Sequence, residues 1–131
     1  MVVFEKEYTV QKEDIDELDH VNNVRYLDWV QTISEEHWNE AVPPEARQGW
    51  VWVVRKHTIE YHIPTLLGQT LRLRTYIKQQ AGPISTRIVE ILDNKTGKKQ
   101  VTAITDWCLL DAASLRPRRI PESITKVFIQ H

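Results

Sequence analysis

Little in this chain takes it outside the class of ordinary single globular domains. It has one cysteine, Cys108, in 131 residues, which excludes an intrachain disulfide. No run approaches the roughly 18 consecutive apolar residues that a membrane span requires. Basic residues number 17 and acidic residues 18, so the formal net charge is −1 and there is no electrostatic case for nucleic acid or an anionic membrane surface. Residues 1–7 carry charge where a signal peptide needs an apolar stretch, so a cytoplasmic protein is expected. There is no internal repeat, linker or low-complexity tract. What remains is 41% hydrophobic and 27% charged, enough for one domain over residues 1–131 with a real core.

The order of elements follows from pattern. Residues 2–10 are rich in β-branched and aromatic residues and read as a strand. Val24, Leu27, Val30 and Ile33, spaced by three, predict one side of a long helix, with Trp38 further on and Arg25, Asp28, Gln31, Glu35 and Glu36 largely outside that stripe. Asp19 or Asn22 supplies its N-cap, and Pro43-Pro44 ends it. Four strands follow, over residues 50–63, 71–78, 84–92 and 99–110, with turns at Ala81-Gly82-Pro83 and Asn94–Gly97. Residues 116–121 read as a loop, and residues 122–129 as a short helix or a last extended piece. One helix cannot cover both faces of a five-stranded antiparallel sheet. The expected fold is therefore α+β, a sheet of about five strands wrapped around one long central helix. The rest of its surface or its edge would be covered by a second copy.

The most informative stretch is Asp14-Ile-Asp16-Glu-Leu-Asp19-His20-Val21-Asn22-Asn23-Val24-Arg25-Tyr26-Leu27-Asp28-Trp29. A helix entry needs one capping side chain, and this one has two spaced carboxylates, a histidine and two asparagines in front of it. The segment resembles the signature of the hotdog-fold thioesterases, the group of 4-hydroxybenzoyl-CoA thioesterase and the acyl-acyl-carrier-protein thioesterases. In the latter the segment runs close to Asp-Leu-Asp-x-Asn-x-His-Val-Asn-Asn-Val-Lys-Tyr-Ile-x-Trp, a long match without gaps. More loosely, Glu60-Tyr61, the Pro64…Gly68 spacing and Arg116-Pro…Ile120-Pro121 resemble the family's later punctuation.

The resemblance implies a single hotdog domain that hydrolyses an acyl-CoA or acyl-carrier-protein thioester without metal or bound cofactor. It implies a homodimer or homotetramer. Asp16 stands where the aryl-CoA enzymes carry the aspartate that attacks the thioester or activates water. His20 would position water or carbonyl or act as a base, or it would simply hold the loop. The oxyanion donor would be a backbone N–H in the first helical turn, that of Asn23 or a neighbour. Asn22 and Asn23 would fix the loop and the helix start, or contact substrate through their side chains, and Tyr26 would contact substrate. Arg116, Arg118 and Arg119 would meet the phosphates of the thiol carrier, with Arg72, Arg74 and Lys78 as a second basic group.

Three departures limit the carry-over. Leu18 stands where the carrier-protein enzymes have an asparagine. Pro64 and Thr65 follow Glu60-Tyr61 where those enzymes place an acid and a cysteine. Asp19 replaces a glycine common in single-domain members. The mechanism thus rests on Asp16, the helix dipole and backbone donors. A non-catalytic acyl-thioester binding or sensing protein on the same fold is the alternative; a hotdog hydratase fits less well, because its aspartate and histidine are spaced differently. His57 and His62, five apart, face opposite sides of a regular strand and make no shared metal site. His37 reads as surface or packing and Cys108 as a buried thiol. The five tryptophans read mostly as core or interface, with one or two free to line an acyl pocket.

Overall fold

The computed structural model describes residues 2–129. Strand β1 (Val3–Thr9) leads through a 3-10 turn at Lys12–Asp14 and an irregular loop into the long helix α1 (Asn23–Ala41). A short helix α2 (Pro44–Arg47) turns the chain into β2 (Trp50–Tyr61), β3 (Thr70–Ala81), β4 (Ile84–Asp93) and β5 (Lys99–Asp111), and helix α3 (Glu122–Phe128) closes the described chain. All strand pairs are antiparallel and the order across the sheet is β1-β3-β4-β5-β2. β1 and β2 are therefore the edges. This is the expected five-stranded α+β fold, and residues 122–128 take the helical alternative.

Asn22 caps α1, its Oδ1 accepting the Val24 N–H at 3.0 Å. The buried face of α1 differs from the predicted one. Tyr26, Trp29, Val30, Ile33, Ser34 and His37 are buried, whereas Val24 is 62% exposed. A spacing of three falls short of the 3.6-residue turn, so a run of threes drifts around the cylinder. The true stripe mixes steps of three and four, and it includes two polar residues that an apolar pattern passes over.

The main core lies between this face and the sheet, where Val30 and Ile33 meet Leu71, Leu73, Val89, Ile91 and Val101. Truncating a fully buried Ile33 to alanine would cost about 2–5 kcal/mol. A second cluster, Val42, Ile77, Leu109, Ile120, Ile124 and Phe128, gathers at the C-terminal end of α1 under α3. The β4–β5 turn is fixed by Gly97 in the left-handed region (φ +74°), its N–H donating to the Asp93 carbonyl at 2.8 Å.

Candidate active site

The loop between β1 and α1 is held by Asp14, not by Asp16. Asp14 is 2% exposed, and its Oδ2 accepts from the Tyr8 hydroxyl at 2.5 Å and the Gln11 N–H at 2.8 Å. Arg25 on α1 faces its other oxygen, with Nε 3.3 Å from Oδ1. Its carbonyl accepts the Asn22 N–H at 2.9 Å, which ties the carboxylate's backbone to the helix cap. Burial, followed by the Asp14 hydrogen bond and charge, pushes the Tyr8 phenol up to about 12, so it donates throughout the physiological range.

Asp16 has the opposite environment. It is exposed, and its Oδ1 accepts the N–H of Leu18 at 2.8 Å and of His20 at 3.3 Å, the geometry of a side-chain-closed turn. Oδ2 makes no hydrogen bond to any described residue. The turn is closed further by Asp16 N–H to His20 carbonyl at 2.8 Å and Asp19 N–H to Asp16 carbonyl at 3.2 Å. Asp19 sits at φ +60°, in the left-handed region that aspartate tolerates better than most side chains. Aspartate therefore closes this turn in a conformation that glycine would adopt at lower backbone cost.

The two ends of the loop bracket a helix start with free donors. The Val24 N–H is taken by the Asn22 side chain and the Arg25 N–H by the Asn22 carbonyl, but the Asn23 N–H has no acceptor among the described residues. It lies at the positive end of a 19-residue helix. Asp16, His20, Val21, Asn23, Tyr26, Tyr61, His62, Ile63 and Pro64 line one open cleft of about 340 Å³. Of the expected site residues, Asp16, His20, Asn23 and Tyr26 thus share one cavity. Tyr26 forms its inner wall at 3% exposure, with Trp29 edge-on at 5.6 Å and Tyr61 tilted at 5.4 Å. Asn22 is the cap beside it, its side-chain oxygen already committed to the backbone.

Arg116, Arg118 and Arg119 are not in this cleft. Their loop follows β5 at Asp111, whereas the cleft lies by Val101, the partner of Tyr61; ten residues of strand, roughly 33 Å, separate the two ends. Arg72 pairs with Glu5 at 2.9 Å and Arg74 faces the buried Glu90 at 3.6 Å, so both belong to cross-strand pairs of the sheet. Cys108 is buried. His57 is half-buried against Thr105 Oγ1 at 2.8 Å, and burial lowers its pKa. Tyr61 and His62 are cleft residues that sequence reasoning missed. His62 Nε2 is 3.1 Å from Thr102 Oγ1 and its backbone N–H is held by the Gln100 carbonyl at 2.8 Å. The signal for them was Pro64 just beyond the end of β2, which marks where that strand must leave the sheet. The loop that crosses to it, through the His20–Leu66 bridge and the Val21 N–H to Thr65 carbonyl bond at 2.9 Å, carries no hydrophobic periodicity that would reveal this crossing.

With this geometry in place, comparison with known proteins is informative. The model of the acyl-ACP thioesterase N-terminal domain family matches residues 1–128. The acyl-CoA thioester hydrolase YbgC of Escherichia coli is 25% identical over 114 residues, covering 85% of this chain and 82% of that protein. Among solved structures, a 1,4-dihydroxy-2-naphthoyl-CoA thioesterase from Synechocystis superposes with a TM-score of 0.83 at 15% identity, over 97% of this chain and 96% of that one. A Thermus thermophilus thioesterase, solved with coenzyme A and Zn, gives a TM-score of 0.83 at 21% identity over 95% and 90%.

Proposed function

The chain belongs to the family of the acyl-ACP thioesterase N-terminal domain, and on that premise we propose that it hydrolyses an acyl-CoA thioester to the free acid and CoA, using Asp16 as base or nucleophile. The observation that carries this reading is the division of labour in one carboxylate. Two backbone N–H groups fix Oδ1 of Asp16, while Oδ2 is left free in the cleft that also holds the unpaired Asn23 N–H. A thioester carbonyl needs an electron pair on one side and a donor for the developing oxyanion on the other.

The chemistry balances in either form. As a base, Asp16 takes a proton from water, the hydroxide oxygen bonds to the carbonyl carbon, and the C–S bond breaks with the electron pair leaving on sulfur. As a nucleophile, Oδ2 forms a mixed anhydride and expels the thiolate, and water then hydrolyses the anhydride. The thiolate is a good leaving group, so no general acid is required. The Asn23 N–H carries the oxyanion, a role typically worth about 2.7–4 kcal/mol of barrier. His20 and His62 share the cleft with Asp16 and orient the water. The relative YbgC is an acyl-CoA thioester hydrolase and the Thermus thermophilus thioesterase binds coenzyme A, which favours CoA over a carrier protein as the thiol.

The reading includes a second copy. Leu18, Val24, Tyr61, Ile63, Leu66 and Leu67 are 41–73% exposed around the cleft. β2 is an uncovered edge strand of 12 residues, a template for pairing with another chain. A homodimer joined on this side would cover both, and Arg116, Arg118 and Arg119 reach a thioester only from such a copy. Light scattering at twice the 15.4 kDa chain mass is the expected result, and a monomer that turns over substrate would remove the second copy from the mechanism.

The test is thiol release from short to long acyl-CoAs and aryl-CoAs by the wild type and Asp16→Asn in parallel. Wild-type turnover that collapses in the variant supports the assignment. Turnover untouched by the substitution removes Asp16 from the mechanism. Tight binding with no turnover would make the protein a thioester-binding module.

A further inference from the structure

A second cavity lies at the other end of α1, and its chemistry is unlike that of the cleft. α1, the sheet and α3 line an open pocket of about 50 Å³, room for a carboxylate group or a few waters, whose aromatic walls continue toward solvent. Its walls are Trp38, Trp52, Trp107 and Phe128, and at its polar end stand Ser85 and Arg87. Ser34 at the base of the cavity gives its hydroxyl to the Val30 carbonyl at 2.6 Å. Glu35 is exposed at the rim.

Arg87 is the anomaly. It is 4% exposed, and among the described residues no carboxylate pairs with it. Its Nη1 donates to His37 Nδ1 at 2.8 Å and to Thr75 Oγ1 at 3.0 Å, and Thr75 passes its own proton to the Ile88 carbonyl at 2.8 Å. Nε and Nη2 donate to no described residue. The Phe128 ring, 5.9 Å from the guanidinium carbon, contributes a cation–π contact but accepts no hydrogen bond in place of an anion. His37 cannot supply the missing charge: burial and the Arg87 cation hold its pKa down at about 4, so it is neutral. Arg87 itself, lowered to about 10 by burial, stays ionised at neutral pH. A buried, uncompensated cation is costly in a folded protein. The Trp107 indole N–H is buried with no acceptor among the described residues.

We infer that this cavity binds an organic carboxylate, with the acid group against Nε and Nη2 of Arg87 and its apolar body against the wall of Trp38, Trp52 and Trp107. The planar edge of a guanidinium matches a carboxylate through two parallel hydrogen bonds. The aromatic walls select an aryl or short alkyl body over inorganic anions, which cannot use them. The acid has two possible sources: a free carboxylic acid, or the far end of a thioester whose acyl group is itself an ω-acid. Ser34 lies eleven residues along α1 from Asn23, about 16 Å by the helical rise, and the buried Trp29, Val30 and Ile33 occupy the stretch between. This packing favours the free acid and a site separate from the cleft, so the inference stands whether or not Asp16 is catalytic.

Three tryptophans in the wall give the readout. Titration of the full chain with benzoate and hexanoate is expected to change tryptophan fluorescence saturably, at least tenfold tighter than with benzyl alcohol and hexanol. Arg87→Met should erase that preference while Arg87→Lys keeps part of it, and a benzoate-induced rise in Tm in the wild type should vanish in Arg87→Met. Suberyl-CoA against octanoyl-CoA forms the second arm. An Arg87-dependent preference for suberyl-CoA supports the site and identifies the thioester tail as the source; the preference for free acids alone identifies the acid. If neither acid nor suberyl-CoA saturates, or if both behave alike in wild type and Arg87→Lys and Arg87→Met, the cavity holds only water and the inference falls.

Discussion

The two ends of α1 hold polar groups under opposite conditions. At the N-terminal end a carboxylate, two histidines and a free backbone N–H line an open cleft, and the polar atoms needed for the fold are already paired among themselves. At the C-terminal end a guanidinium and a neutral imidazole sit inside the protein, hydrogen-bonded to each other. Exposed groups with spare valence cost the fold almost nothing and are free to react. Buried ones cost desolvation unless every donor finds an acceptor. The same contrast repeats over three residues in the loop itself, where Asp14 is buried and fully committed and Asp16 is exposed and half-free. The difference teaches that residue type alone does not mark a functional carboxylate; the count of unused oxygens does.

The sharpest way to break this contrast is to exchange the roles of the two aspartates. Asp16→Asn is expected to lower kcat/KM toward the best acyl-CoA by about 10²–10⁴-fold, the range of a lost positioned base or nucleophile, with the far-UV spectrum and Tm unchanged. Asp14→Ala should do the reverse. It leaves the Tyr8 hydroxyl, the Gln11 N–H and the Arg25 head without their acceptor, and urea unfolding is expected to show a loss of about 3 kcal/mol. Equal stability losses in the two variants would mean that Asp16 is also a structural carboxylate.

The interior end gives a prediction in pH. Folded His37 has a pKa near 4 against 6.5 unfolded. Between those values the unfolded chain binds a proton that the folded chain refuses, so stability rises with pH. The His37 contribution is complete above about pH 6.5 and is lost as the pH falls toward 4, a change on the order of 3 kcal/mol. Asp93 and Asp111, whose pKa values are lowered by the Thr96 hydroxyl and the Ser114 N–H respectively, also lose stabilisation in acid. The variant His37→Gln separates them, because it keeps an acceptor for Arg87 but cannot titrate. Its urea midpoint is expected to vary less than that of the wild type between pH 6.5 and 5, and an unchanged slope would assign the acid loss to carboxylates alone.

Much of the frame and part of the site were legible in the sequence. Strand alternation, the proline-bounded helix and the Asn94–Gly97 turn are local properties, and each appears where expected. The Asp14–Trp29 segment located the loop because its polar residues exceed what a cap needs. What local pattern could not carry was anything set by pairing register. Tyr61 and His62 enter the cleft because Thr65 and Leu66 bridge to Val21 and His20. Arg87 reads as one polar residue in a strand until the fold places it against His37, fifty positions away. The arginines of residues 116–119 lie away from the cleft of their own chain for the same reason: their charge gives no measure of which end of β5 they follow.

The smallest expected effect tests the boundary between fold and chemistry at Asn22 and Asn23. Asn22 caps α1 through its side chain, so Asn22→Ala is expected to cost about 1 kcal/mol and Asn22→Asp almost nothing. The Asn23 side chain has no such bond, and its value to the site lies in its backbone N–H, so Asn23→Ala should leave stability within about 0.5 kcal/mol and alter kcat little. The informative quantity is the activity of Asn22→Ala. Its cap loss lets the first turn fray, which moves the Asn23 N–H without changing any group in the cleft. A fall in kcat with KM steady, restored in Asn22→Asp, would tie the helix start to oxyanion binding. A fall of the same size in Asn23→Ala and not in Asn22→Ala would transfer the role from the backbone to the side chain.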